Sequence, residues 1–291
     1  MAARFSHRGI CVADVDASIR FYRDALGFEV QENHQRLEGE WLETGTDVPG
    51  VALRAQMLRD AAGITVELLY FHAPGADGPR ERRALNQFGL THFAANVDDM
   101  DAAIDRVRAA GGQAHGGTRV YYDVNDAEIV YVSDPDGVRI ELVRSPRLSS
   151  GFSHSGICVA DPVRAARFYA LLGFTPTDDV VLLDHIDWLA PLTEVGDARI
   201  RATVVRDDNG NAIELMSFVT PDSFGSRERR PLNRYGLTHH AFWVDDLDTA
   251  AAALADAGGR VFPSTRSRYG DCEMLHLADV DGVRVELMQQ L

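Results

Sequence analysis

Four histidines and four glutamates recur at matching positions along this 291-residue chain. Each histidine stands in a short apolar segment such as FSHRGICVAD (5–14), and each glutamate in a later one such as ITVELLYF (64–71). The eight residues are His7, Glu67, His92, Glu141, His154, Glu214, His239 and Glu286. A carboxylate among apolar strand residues is costly unless it is paired or bound to a metal. Simple salt bridges are an alternative for any one pair, but four pairs in register favour metal binding.

The donor types restrict the kind of metal. Two imidazoles and two carboxylates suit a six-coordinate divalent ion such as Ni, Co, Mn, Fe or Zn, and suit Mg less well. No cysteine joins the set, so a structural zinc site is not predicted. Strand alternation places Glu67 on the face opposite Val66 and Leu68, which we expect to face the helices. The same alternation makes His239 the ligand and His240 a structural residue.

The elements that position these residues come from a duplication. A shift of 147 residues aligns FSHRGICVAD with FSHSGICVAD (152–161), and each half contains two similar units. In the first unit Asp14 or Asp16 can cap a helix that Gly27 ends. We predict an α+β fold of four βαβββ modules, paired into two cup-shaped mixed sheets with helices outside. The predicted domains are 1–147, with modules 1–71 and 89–145, and 148–291, with modules 152–219 and 236–291.

Composition excludes several classes of function. The net charge is −15, which disfavours binding to nucleic acid or to anionic membranes. The chain has no lysine, so Schiff-base catalysis and a phosphate-loop lysine are excluded. No apolar run is long enough to span a membrane, and no signal peptide is evident. We therefore expect a cytoplasmic monomer or homodimer whose partner is a small-molecule substrate.

The modules, together with GLTHFAANVDD (89–99) and DPDGVRIEL (134–142), resemble the vicinal oxygen chelate superfamily. That group includes glyoxalase I, methylmalonyl-CoA epimerase, extradiol dioxygenases, fosfomycin-resistance enzymes and bleomycin-binding proteins. The resemblance covers nearly the whole chain and implies two sites, each with two histidines and two glutamates. If neighbouring modules pair, His7 and Glu67 join His92 and Glu141. If modules exchange partners, His7 and Glu67 join His239 and Glu286.

The two-His, two-Glu pattern looks more like glyoxalase I and the epimerases than like the dioxygenases. The resemblance therefore implies a metal-dependent isomerase, epimerase or lyase that transfers a proton beside a carbonyl of a substrate with two neighbouring oxygens. The implied catalytic bases are Glu67 or Glu141 and Glu214 or Glu286. Two alternatives stay open: an Fe(II) or Mn(II) extradiol-type dioxygenase, and a non-catalytic protein that binds an antibiotic or another small ligand.

Two further sets of residues are candidates for substrate contact. The stretches before the last hairpin of each half differ, which makes Tyr121, Tyr122, Arg268 and Tyr269 candidate substrate-binding residues. The linkers 72–88 and 219–235 carry RERR sequences. These form either a salt-bridged surface or a clamp for an anion, for which Arg80, Arg83, Arg227 and Arg230 are the candidates.

Overall fold

The computed structural model describes residues 3–122, 126–148 and 151–291, without the side chains of 32–35 and 152. All four units begin with a strand and a helix and end with an antiparallel strand pair. The first contains β1 (Ala3–Cys11), α1 (Val15–Leu26), β2 (Glu29–Glu38), α2 (Glu40–Thr46), β3 (Ala52–Arg59) and β4 (Thr65–Ala73). The second contains β5 (Gly89–Asn96), α3 (Met100–Ala109), β6 (Gln113–Ala114), β7 (Val120–Tyr122), β8 (Ala127–Ser133) and β9 (Arg139–Arg144).

The second half repeats this order. The third unit contains β10 (Gly151–Cys158), α4 (Pro162–Ala170), β11 (Thr175–Pro176), β12 (Val181–Leu183), α5 (Leu189–Thr193), β13 (Arg199–Arg206) and β14 (Ala212–Thr220). The fourth contains β15 (Gly236–Val244), α6 (Leu247–Asp256), β16 (Arg260–Val261), β17 (Ser267–Tyr269), β18 (Cys272–Ala278) and β19 (Arg284–Gln290). No helix in the described ranges is long and apolar enough to cross a membrane.

The units exchange partners across the two halves. One sheet has the order β16-β18-β19-β15-β1-β4-β3-β2, so it joins the fourth unit to the first. The other has the order β11-β13-β14-β10-β5-β9-β8-β6, so it joins the third unit to the second. The antiparallel pairs β1–β15 and β5–β10 lie at the two sheet centres. The open question of module pairing is thereby answered, while the boundary at residues 147–148 stays a prediction.

Each sheet has an apolar face towards the helices and a second face that is concave. The helix-side core contains Val66 and Leu68 of β4 together with residues of all four long helices. Two separate apolar clusters lie on the concave faces, and one of them contains Leu69. The alternation predicted for β4 is therefore confirmed, and Glu67 lies on the concave side with Leu69.

Helix ends follow the sequence signals. The Asp14 carboxylate accepts hydrogen bonds from the backbone N–H of Asp16 and Ala17, so Asp14 is the cap of α1. Gly27 ends this helix with φ of 75°, a left-handed conformation that glycine adopts at little cost. The short helices α2 and α5 were not predicted; α2 lies between β2 and β3, and α5 lies between β12 and β13.

A buried aspartate ties each DPDG-like turn to a helix. Asp134 accepts hydrogen bonds from the backbone N–H of Asp136 and Val138 and from the Tyr22 hydroxyl, which lies 3.0 Å away. Asp279 and Tyr169 form the equivalent contact at 2.8 Å. Burial raises the pKa of Asp134 to about 7 and that of Asp279 to about 6. Asp134 thus ties the turn before β9 to α1, and Asp279 ties the turn before β19 to α4.

We expect Tyr22→Phe to lower the free energy of unfolding by about 1–3 kcal/mol, because it leaves a buried acceptor without its donor. Thermal melting measures the change. The control is Tyr121→Phe, since Tyr121 is 57% exposed and its hydroxyl donates to the neighbouring Asp126. Equal melting temperatures for the two variants would contradict this role for Tyr22.

Candidate metal centres

Four adjacent strands of the first sheet each contribute one donor to a single cluster. We call His7 of β1, Glu67 of β4, His239 of β15 and Glu286 of β19 the first centre. The Nε2 atoms of His7 and His239 lie 3.2 Å apart. Each of these atoms lies 3.5–3.6 Å from Oε2 of Glu67 and of Glu286. The exchanged pairing of modules therefore assembles this site from residues 232 positions apart.

The second sheet repeats the cluster. We call His92 of β5, Glu141 of β9, His154 of β10 and Glu214 of β14 the second centre. The two Nε2 atoms lie 3.4 Å apart. His92 Nε2 lies 3.2 Å from Glu141 and 3.6 Å from Glu214, and the corresponding distances from His154 are 3.6 and 3.8 Å. All eight predicted ligand residues are thus brought together in two sets of four.

The spacing of these atoms fits a divalent ion. Metal–ligand bonds of about 2.0–2.2 Å place neighbouring donors about 3.0–3.5 Å apart, close to the distances in both centres. Three residues of each centre, His7, His239 and Glu286 or His92, His154 and Glu214, form a group able to hold a metal ion. Two imidazole Nε2 atoms this close repel each other unless a cation or a proton lies between them. The donor set therefore fits the predicted kind of metal.

A hydroxyl group orients each histidine. The residue before each one carries the hydroxyl, and its Oγ lies 2.9–3.2 Å from the histidine Nδ1. These residues are Ser6, Thr91, Ser153 and Thr238. The Thr91 hydroxyl donates to the carbonyl of Gly156, so its oxygen accepts from Nδ1–H of His92. The Nε2 of His92 then carries the lone pair that faces the cluster, as a metal ligand requires.

The clusters stabilise protonated histidine when no cation is present. Burial lowers the pKa of His7, but Glu67 and Glu286 raise it, and the net pKa lies above its ordinary value. Burial likewise lowers the pKa of His154 and Glu141 raises it, again with a net increase. Burial raises the pKa of Glu141, yet His154 and His92 bring it well below its usual range. The Glu141 carboxylate therefore stays ionised and available to a cation.

A glycine in each central strand makes room for the opposing imidazole. Gly9 lies directly across from His239, and Gly156 lies across from His92. A Cβ atom added to Gly9 would overlap the His239 ring and lie 2.6 Å from Thr238 Oγ1, while one added to Gly156 would overlap the His92 ring. Any side chain at either position would displace a metal-facing histidine.

We expect Gly9→Ala to weaken metal binding at the first centre alone, by about 10–100-fold, because the displaced ring loses its orientation. Gly156→Ala should have the same effect at the second centre alone. Elemental analysis after dialysis against limiting metal measures both. Gly117→Ala is the matched control, since nothing lies within 4 Å of a Cβ there. Full metal content in both variants would show that the imidazoles do not depend on these glycines.

A cavity of about 200 Å³ opens onto the first centre. Glu67, His239 and Glu286 form its metal-facing side. Its other walls are mainly apolar and include Trp41, Leu42, Leu53, Leu69, Leu232 and Met274. Tyr269 stacks on Trp41 at the rim, with 4.4 Å between ring centroids. The first centre thus has space for a small substrate with an apolar body.

Larger side chains occupy the corresponding space at the second centre. Leu192 stands where the first centre has Gly45, and it is buried in the apolar cluster of that concave face. Val120 replaces Ser267 by strand register and packs against the same cluster. Tyr131 takes the register position of His276 and lies 3.5 Å from Glu141. Three residues beside the second centre are therefore larger than their counterparts at the first centre, and they narrow the space over its donors.

The four residues predicted to contact substrate lie in different surroundings. Tyr269 lines the cavity at the first centre. Arg268 is exposed, and its Nε donates to the carbonyl of Gly270 at 2.9 Å. Tyr122 packs on Trp188, with 5.1 Å between ring centroids, and Tyr121 is exposed. The structure therefore places Tyr269 on the cavity at the first centre and Tyr122 against the apolar cluster on the concave face of the second sheet, whereas Arg268 and Tyr121 are exposed.

His276 was not predicted from the sequence, although it lies at the first centre. Its Nε2 is 3.9 Å from Glu286 Oε1, and it lines the cavity. Burial, followed by Arg284, lowers its pKa well below the ordinary value, so the ring is neutral near pH 7. Its Nδ1 is buried without a hydrogen-bond partner in the described residues. The alternation of Cys272, Met274 and His276 along β18 was the signal available in the sequence.

Comparisons with known proteins agree with this architecture. Residues 4–142 and 153–276 match models of the Glyoxalase/Bleomycin resistance protein/Dioxygenase superfamily, and the chain belongs to this superfamily. A crystal structure of glyoxalase I from Zea mays superposes with a TM-score of 0.70 and 19% identity, covering 99% of this chain and 92% of that one. The predicted fold and family resemblance are confirmed.

Two relatives each match a stretch of about half of this chain. A probable lactoylglutathione lyase of Vibrio parahaemolyticus is 30% identical over 150 residues, which is 51% of this chain and 95% of the relative. A 2-epi-5-epi-valiolone epimerase of an Actinomyces species is 30% identical over 155 residues, which is 50% of this chain and 81% of the relative. These relatives bear out the prediction of an enzyme of the lyase and epimerase kind.

Proposed function

We propose that this protein is a metal-dependent enzyme that moves a proton beside a carbonyl group, and that it does so at the first centre. The observation that carries this proposal is the apolar cavity of about 200 Å³ beside His239, Glu67 and Glu286. The second centre has the same donors but larger side chains beside them, among them Leu192 and Tyr131. We assign it a metal that supports the fold and does not meet substrate.

His7, Glu67, His239 and Glu286 would hold the ion of the first centre. When bound, a divalent metal supplies Lewis acidity to two neighbouring substrate oxygens and stabilises negative charge on them. The two histidines present Nε2 and keep Nδ1 on Ser6 and Thr238, which fixes both rings. Two imidazoles and two carboxylates suit Ni, Co, Mn, Fe and Zn alike, so each of these ions is a candidate.

The proton would move through a carboxylate that faces the cavity. Glu67 and Glu286 are the two candidates, and each is mostly buried, with 18% and 13% of its side chain exposed. One of them takes the proton from the carbon beside the carbonyl onto a carboxylate oxygen and returns it to the neighbouring or the same carbon. The apolar walls around Trp41 and Leu69 limit the water around the substrate, which strengthens the electrostatic interactions of the metal and the carboxylates with it.

The cavity also restricts the substrate. No arginine lines it among the described residues, and its charged groups are Glu67 and Glu286 beside two histidines. Such a wall does not complement a substrate with several carboxylates. We propose a small compound with neighbouring oxygens and an apolar body, for example the adduct of a 2-oxoaldehyde with an uncharged thiol. The two-His, two-Glu donor set favours this proton transfer over ring cleavage by oxygen.

Proton exchange with solvent tests the proposal. The metal-loaded protein is incubated in D₂O with thiol adducts of 2-oxoaldehydes and with cyclic hydroxyketones, the latter because one relative is an epimerase. Deuterium incorporation beside the carbonyl, lost on chelation and restored by a divalent ion, is expected. Oxygen consumption with catechols, without deuterium incorporation into any of these compounds, would instead support a dioxygenase.

A further inference from the structure

A second and larger cavity lies between the two linker segments, and Thr91, the neighbour of His92, forms part of its wall. Its volume is about 460 Å³, and we call it the linker cavity. Residues 79–87 of the first linker and residues 224–235 of the second contribute to its walls, together with the starts of β5 and β15. None of its lining residues is one of the eight metal donors. Pro79 and Glu81 are exposed, so the cavity is open to solvent.

Arginines dominate the polar walls of the linker cavity. Arg82 and Arg139 line it, and both pair with Glu194. Arg83 and Arg230 are equivalent by the duplication and also line it. Each donates Nη2 to a backbone carbonyl of its own linker, and neither forms an ion pair with a carboxylate among the described residues. Glu81 and Asp136 also line the cavity, so its four arginines leave the wall with a net positive charge in a chain whose net charge is −15.

One further nitrogen of each of these two arginines is unsatisfied. Arg83 Nε and Arg230 Nη1 are buried without a hydrogen-bond partner in the described part of the chain. Burial, followed by Arg230, lowers the pKa of Arg83 to about 9. Burial and Arg234 lower the pKa of Arg230 to about 10. The two guanidinium groups thus repel each other, and each keeps one buried nitrogen without an acceptor, which is the environment that an oxyanion would relieve.

The other linker arginines have structural partners. Arg80 Nε lies 2.7 Å from Asp136, and Arg227 lies 3.3 Å from Asp281, so each ties its linker to a DPDG-like turn. The two interpretations of the RERR sequences therefore apply to different residues. Arg80 and Arg227 form salt bridges. Arg83 and Arg230 line the linker cavity and form no ion pair among the described residues.

We propose that the linker cavity binds the phosphate group of a small molecule through Arg83 and Arg230. Guanidinium groups bind phosphate by paired, charge-assisted hydrogen bonds, and no lysine is present to serve instead. A cavity of this volume is in the range that holds a small organic ligand, so the occupant carries more than a free phosphate ion. Because the linkers connect the two sheets, this ligand would hold together segments from both halves of the chain.

Calorimetric titration of the metal-loaded protein tests the proposal, with phenyl phosphate and inorganic phosphate as probes in chloride buffer. We expect saturable binding that is at least about tenfold weaker in Arg83→Gln and Arg230→Gln. Arg230→Lys should retain part of the affinity. Arg108→Gln is the matched control, because this exposed helix residue pairs only with Asp105 in the described residues and should bind as the unaltered protein does.

Two further measurements keep the outcome unambiguous. Phosphate also coordinates metal ions, so the metal content of every variant is measured. If phosphate affinity changes with metal content and does not change when Arg83 or Arg230 is replaced, the proposal is wrong. Ala84→Phe fills the linker cavity without removing a charge and should abolish binding of phenyl phosphate in a folded protein. Absence of saturable binding of either probe to the unaltered protein would also refute the site. Tighter binding of the ester than of free phosphate would support an organic ligand.

Discussion

Replacing Glu67 by glutamine should lower turnover by about 10²–10⁴-fold and remove one of two bound metal ions per chain. Glu67 Oε2 lies 3.5–3.6 Å from both histidine Nε2 atoms of the first centre, so the amide removes a charge from the donor set. If Glu67 is also the base, the proton-transfer contribution of that magnitude is lost with it. Elemental analysis and the deuterium-exchange assay measure the two effects.

Glu214→Gln is the matched control, because Glu214 has the equivalent position at the second centre. It should remove the other metal ion and change turnover less than about twofold at a temperature where the protein is folded. Loss of turnover in both variants, with one ion lost in each, would show that both centres are catalytic. Loss of turnover in Glu214→Gln alone would place the reaction at the second centre.

A metal-rescue experiment can distinguish the roles of Glu67 and Glu286 at the first centre. Glu67→Gln and Glu286→Gln should weaken metal binding similarly, since the two carboxylates have similar distances to the histidines. With the metal restored at high concentration, the variant that lacks only a ligand should regain turnover. The variant that lacks the base should stay inactive, and this difference identifies the base.

The sequence was sufficient to predict the two clusters of histidines and glutamates because each signal is local. A glutamate or a histidine within an apolar strand is visible in ten residues. Strand alternation then placed Glu67 on the concave face and distinguished His239 from His240, whose Nε2 lies 3.1 Å from Ser155 in the buried core. These inferences needed no knowledge of which strands are neighbours.

Module pairing could not be predicted in the same way. Gly9 accommodates His239 in the observed sheet, but β5 and β15 both begin with GLTH, and His92 would meet the same glycine if neighbouring units paired. The contacts that select the observed pairing are distant ones, such as Arg8 to Ser155 at 3.1 Å and Ser155 to His240. The register of the duplicated strands is therefore local information, whereas their partners are not.

The cavity at the first centre also could not be predicted from the sequence, because three separate segments form it. Gly45 lies in α2, Ser267 in β17 and His276 in β18. A short helix such as α2 has little periodicity, and it was not predicted. Only its packing beside β17 reveals that Gly45 leaves space for a ligand.

Gly45→Leu should abolish turnover while both metal ions stay bound. The second centre already has a leucine at the equivalent position. This residue, Leu192, is buried in the apolar cluster of the concave face. A Cβ atom on Gly45 would already lie 2.5 Å from Ser267 Oγ, so the larger side chain must extend into the cavity. We expect kcat/KM to fall by at least about 10²-fold, since a substrate excluded by even 1 Å loses its reactive geometry.

Gly196→Leu is the control for the substitution itself, because Gly196 is exposed and nothing lies within 4 Å of a Cβ there. It should leave turnover and metal content unchanged. The converse variant, Leu192→Gly, opens space beside a centre whose donors are the same, and Tyr131 should still restrict it. Unchanged turnover in Gly45→Leu would mean that substrate does not enter by this cavity, whatever the metal centres do. Lost turnover with two ions retained would show that the walls, and not the donors, decide which centre works.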